Sequence, residues 1–186
     1  MAKMTLKGFE EYERALSRMK ASYQDDVIGA CVYAGANVVA NAVKNSIREL
    51  PEVNGFGTEK HPLPGGVNAI QKKGLLDGFG ISKMQTDNGY RDVKLGFDGW
   101  NDIRTKKFPN GQPNQLVARG CESGTSWKQK KPFVRPAVNK SRGKCVEVMK
   151  STCDAAVASV MAGSGGKKDF SLRYGGKTIH YVWKNK

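Results

Sequence analysis

The sequence predicts an α+β fold: a small antiparallel sheet packed against two long helices, with long loops and a C-terminal β-hairpin arm. Three observations lead there. Two segments, one ending at Pro51 and one opening around Pro132–Pro136, repeat apolar residues at helical spacing. Two pairs of short alternating runs enclose the turn dipeptides Asn88-Gly89 and Gly175-Gly176. Between these pieces lie stretches rich in Gly, Pro and Asn, which read as loops. The 186 residues suffice for one domain with its own core. Residues 1–162 are expected to form that domain, and 163–186 a Gly-rich linker with the hairpin extension.

Met4-Thr5-Leu6-Lys7 alternates and stops at Gly8, which suits a short strand, and Phe9, Tyr12, Leu16 and Met19 then recur at helical spacing. A second helix is expected over about Asp25–Leu50. Its apolar stripe runs through Ile28, Cys31, Val32, Gly35, Val38, Val39, Ala42, Val43 and Ile47, and Pro51 ends it. Residues 51–74, with PEVNGFGTEKHPLPGG, read as one long loop of the kind that is functional or mobile. Gly80–Gln85 and Tyr90–Phe97 flank the Asn-Gly turn as a hairpin. Asp98 to about Asn114 reads as irregular, and Gln115–Thr125 as a short helical or extended piece closing on glycine. From Arg135, the residues Val138, Arg142, Cys145, Val146, Met149 and Cys153 continue at helical spacing to about Met161. The run Gly163-Ser164-Gly165-Gly166 stops that helix. Proline fits the first turn, where a missing N–H costs nothing.

No stretch of about 18 apolar residues suggests a membrane span. The N-terminal segment carries acids and no apolar core, so no secretory leader is expected and a cytoplasmic site of synthesis is. Cys31, Cys121, Cys145 and Cys153 form no CxxC pair, and His61 and His180 stand far from them. Buried free thiols are therefore expected, with no metal and no cofactor. There is no GxSxG, P-loop or HExxH pattern, and no catalytic residue is assigned. Cys121 with His61 or His180 is a weak nucleophilic pairing, and Gly124-Thr125-Ser126 reads as a turn.

The net charge is +14. From Ser126 to Lys186 there are 14 Lys and Arg against 3 Asp and Glu, so 11 of those charges lie in the last third. Such asymmetry suits an acidic partner: DNA, RNA or an acidic protein surface. The candidate contacts are Lys128, Lys130, Lys131, Lys140, Arg142 and Lys144, with Trp127 and Phe133 interleaved. Phe133 ahead of a helix equally reads as a core anchor, and Arg135 as a group tying down the preceding loop.

One resemblance sharpens these expectations. The order "LKGFEEYERALSRM", "AGANVVANAVKNSI", "GLLDGFGISKM…YRDVKLGF", "ESGTS" and "KPFVRPAVNKSR" resembles the tail-component family of HK97-type tailed phages over residues 4–161. Its assembly motif would be Gly124 and Thr125, then Pro132, Phe133, Arg135 and Pro136. The loop at 51–74 is longer than the family pattern, and the hairpin at 170–183 is additional. The resemblance implies a non-enzymatic virion protein of the neck or upper tail. It would form a homo-oligomeric ring, expected to be hexameric, between the head–tail connector or stopper, the tail terminator and the tail tube, with packaged DNA near. A tail terminator is the close alternative, and a basic nucleic-acid-binding protein a different class. Within the ring reading, Phe170, Leu172, Tyr174, Ile179, Tyr181 and Trp183 would belong to an arm that packs on a neighbouring subunit.

Overall fold

The computed structural model describes residues 17, 27–87, 90–161, 170–174 and 177–181, and the class is α+β. The expected strand at Met4–Lys7 and helix from Phe9 lie outside the described residues. The chain forms two compact units, one of Met1–Gly35 with Val146–Lys186 and one of Ala36–Cys145.

Helix α1, Ile28–Arg48, lies within the predicted span and ends before Pro51. Ala36, Ala40, Val43 and Ile47 are buried at intervals of three and four, so one stripe of the helix faces the core. Leu50 extends that stripe past the helix end. Ile47 and Val43 are almost wholly out of water, each side chain stabilising by roughly 1.5–3 kcal/mol. In the other unit, Cys31 is buried on the same helix. Burial and the adjacent Cys153 thiol push its pKa up from 9.0 to about 11.

Residues 69–74, expected as loop, belong instead to helix α2, Ala69–Gly78. A capping box starts it: Asn68 Oδ1 accepts from Gln71 N at 2.8 Å, and Asn68 N donates to Gln71 Oε1 at 3.3 Å. Its two glycines weaken it as an isolated helix but allow close packing. A Cβ on Gly74 would stand 2.6 Å from Asn114 Oδ1 and 2.7 Å from Asn101 Cβ, so only glycine fits there.

The predicted hairpin forms in two ladders. Strands β1, Phe79–Ile81, and β4, Leu95–Phe97, pair antiparallel with Phe79 opposite Phe97. Strands β2, Gln85–Asp87, and β3, Tyr90–Asp92, pair antiparallel with Asp87 opposite Tyr90, and Asn88-Gly89 lies outside the described residues. Three residues, 82–84, oppose two, 93–94, between the ladders, which is the count of a β-bulge. The Asp98–Asn114 stretch is not wholly irregular: β5, Trp100–Asn101, pairs with β6, Gln112–Pro113. Helix α3, Asn114–Ser123, follows and packs on α2, β4 and β6.

Helix α4, Val134–Met161, matches the predicted end. Its buried stripe differs by one position: Phe133, Ala137 and Ser141 are buried, whereas Val138, Arg142 and Val146 are exposed. The predicted Cys145, Met149 and Cys153 are half-buried and continue the inward line, whereas in the first turns small Ala and Ser fill the inward positions in place of Val138 and Arg142. The tail forms β7, Phe170–Tyr174, and β8, Lys177–Tyr181. Phe170 stands opposite Tyr181 and Leu172 opposite Ile179, while Gly175-Gly176 lies outside the described residues. Trp183 lies outside the described residues. No helix among the described residues is long and apolar enough to cross a membrane.

Candidate functional site

The proline-flanked motif is organised by a residue that sits ahead of it. Glu122, at the end of α3, accepts three backbone hydrogen bonds from the start of α4. Oε2 takes Phe133 N at 2.9 Å and Val134 N at 3.1 Å, and Oε1 takes Arg135 N at 3.1 Å. Pro136 has no N–H to satisfy, and Ala137 N donates to Phe133 O at 3.4 Å, opening the helical ladder. Every N–H of the first turn is thereby accounted for. A carboxylate at this position also faces the positive end of the helix dipole.

Between α3 and α4 the chain reverses through Gly124, whose φ of 76° favours glycine. Thr125 and Lys128 exchange backbone bonds of 2.8 and 3.2 Å, and Lys131 N returns to Cys121 O at 2.7 Å. Phe133 then turns inward. It is 4% exposed and meets Phe97 edge-on at 6.0 Å, while Phe97 meets Phe79 at 4.9 Å. The motif thus pins a reverse loop to the hairpin through one aromatic cluster. The expected role of Arg135 is corrected: its side chain is exposed, and Glu122 does the bracing while Arg135 supplies only its backbone N–H.

That reverse loop carries a second loop. Val53 N and Val67 O bond at 3.0 Å, and Val67 N and Pro51 O at 3.1 Å, closing the base of residues 51–67. Leu63 N donates to Trp127 O at 2.9 Å and Gln129 N to Leu63 O at 2.8 Å, tying the two loops edge to edge. Gly57 lies so close to Trp127 O that a Cβ would not fit. The long loop is therefore fixed by its backbone at several points. Phe56, next to Gly57, is 99% exposed, and Trp127 is 60% exposed. Lys60, on the first loop, and Lys130 and Lys131, on the second, are exposed as well. We call this pair of loops the platform.

The candidate basic contacts divide. Lys130, Lys131, Lys140, Arg142 and Lys144 are exposed, whereas Lys128 is half-buried. Of the two interleaved aromatics, Trp127 reaches solvent and Phe133 does not. Cys121 is wholly buried, and its Sγ donates to Gly66 O at 3.3 Å. Burial pushes its pKa up, the nearby Lys128 opposing this, so the thiol stays neutral and unreactive. Among the described residues, no three His, Cys, Asp or Glu side chains come together to hold a metal.

The sequence reading missed Glu122 as the cap, because its partners lie eleven to thirteen residues away and leave no local pattern. It also missed Phe56, whose exposure depends on how the loops join. The Asn68-x-x-Gln71 box carried a local signal that would have started α2 correctly. Comparison with models of protein families, with curated proteins and with solved structures finds no match for this chain.

Proposed function

We propose that this chain is a structural, non-enzymatic subunit of a tailed-bacteriophage virion. In this reading it forms a ring at the neck or upper tail and joins the head connector to the tail. The order of elements and the Gly-Thr…Pro-Phe-x-Arg-Pro-Ala motif support the reading. The observation that carries it is the platform. A phenylalanine fully open to water, on a loop held by backbone bonds to a second loop with an exposed tryptophan, suits a surface that another protein covers. Ring subunits need such surfaces on different faces, each meeting a non-identical patch on the neighbour. A tail terminator would use the same features at the end of the tail tube.

A second reading has its own observation: Trp127, Lys130 and Lys131 are exposed together, as a nucleic-acid contact would require. Solution mass separates the readings. A chain that gains a defined ring mass when mixed with connector and tail-tube proteins of the same virus supports the virion reading. A chain that ignores them, yet binds DNA with an affinity falling steeply with salt, overturns it.

A further inference from the structure

A second surface of the Ala36–Cys145 unit has the opposite character to the platform. A cleft of about 320 Å³ lies between α2 and the turn at 98–102. Three carboxylates, Asp77, Asp98 and Asp102, line it, with Lys73 as the one opposing charge. Ile70 and Trp100 give it apolar wall, and Trp100 is 61% exposed. Asn114 fixes the cleft, its Nδ2 donating to Asp98 O at 2.8 Å and its backbone N donating to Gly99 O at 3.1 Å. Two amides in its wall are incompletely paired. Among the described residues, Asn101 Nδ2 and Asn114 Oδ1 have no hydrogen-bond partner, although the residues are only 4% and 2% exposed. Buried polar atoms are seldom left so.

We infer that this cleft receives the platform of a second copy of the chain, with Phe56 as the aromatic anchor and Lys60, Lys130 and Lys131 facing the cleft carboxylates. The inference rests on the ring reading above and names the surfaces that would make it. Charge argues for the pairing. Two copies of a chain carrying +14 repel overall, so a contact between them needs a place where the sign reverses locally. The cleft is such a place, and the platform supplies the complementary sign, with exposed Lys60, Lys130 and Lys131 against Glu59 and Glu52, the latter already paired with Lys72 at 3.5 Å. The apolar parts match as well. Phe56 protrudes without cover, and the cleft offers Ile70 and the Trp100 ring, on which an aromatic ring or a lysine ammonium can stack. Because platform and cleft are different patches on one unit, their contact is heterologous and propagates from copy to copy until rotation closes it.

The test is a charge swap on exposed residues. One variant carries Asp77→Lys with Asp102→Lys, the other Lys130→Glu with Lys131→Glu, and circular dichroism checks that both fold. Each alone should raise the concentration needed for half-assembly by at least about tenfold, since like charges then face each other. An equimolar mixture should recover assembly, because the lysine cleft of one accepts the glutamate platform of the other. As a second measurement, a benzophenone amino acid at position 56 should crosslink to peptides spanning 70–78 or 98–102 of another copy. Unchanged assembly of both variants, no recovery on mixing, or crosslinks only to other segments or to a different protein overturns the docking while leaving the ring reading intact. Wild-type chain that forms no ring, alone or with connector and tail-tube proteins, overturns both.

Discussion

At the start of α2 the free backbone groups find their partners three residues away, in the reciprocal pair of Asn68 and Gln71. At the start of α4 the partner is Glu122, on another helix and across a reversed loop. Both devices satisfy N–H groups that a helix leaves open. They differ in what else they hold. The α2 cap orders one turn of one helix. The α4 cap joins α3, the loop through Gly124 and the buried Phe133, and so sets the base on which the exposed platform stands. A local cap stabilises an element, whereas a long-range cap also positions a surface.

The largest effect should come from Phe133→Ala, which empties the aromatic cluster beside the long-range cap. A loss of about 3–5 kcal/mol in urea unfolding is expected. A loss under about 1 kcal/mol would show that the cluster does not anchor the loop. Glu122→Ala should follow at roughly 2–3 kcal/mol, because a charged acceptor of three N–H groups is removed. Arg135→Ala, on an exposed side chain, should stay within about 0.5 kcal/mol. If Arg135→Ala costs as much as Glu122→Ala, the assignment of the brace is wrong.

Gly74→Ala separates packing from helix propensity. Propensity alone predicts a gain of about 1 kcal/mol for the change inside α2. The close approach of Asn101 and Asn114 predicts a loss of roughly 1–3 kcal/mol instead, and a thermal melt reads the sign directly. Asn68→Ala should cost least of the destabilising changes, about 1 kcal/mol, and should leave any assembly of the platform untouched. An Asn68→Ala variant that lost assembly would remove the distinction between the two caps.

The parts of the fold that were legible follow the same division. Helix α1 could be read because its stripe and its terminating Pro51 are contiguous in sequence. Both hairpins could be read because the dipeptides Asn88-Gly89 and Gly175-Gly176 stand in the sequence between adjacent alternating runs. Helix α2 was hidden by Gly74 and Gly78, which look like loop punctuation until Asn114, Asn101 and Asp98 are seen against them. The β5–β6 pair was hidden because each strand has only two residues, too few for any alternation to register. On α4 the large apolar residues Val138 and Val146 suggested one face, yet Ala137 and Ser141 hold the buried one.

Sequence alone therefore determined the class, the two long helices, the turns and the basic bias of the last third. These depend on periodicity, on proline and glycine geometry and on formal charge, all of which act within a few residues. Tertiary structure decided which residue braces the proline-flanked motif, which glycines sit in helix rather than loop, and which aromatics meet water. Those outcomes depend on pairings such as Glu122 with Phe133, Gly74 with Asn114 and Leu63 with Trp127. Their energy comes from contact between residues distant in the chain, and contact exists only once the chain has closed on itself.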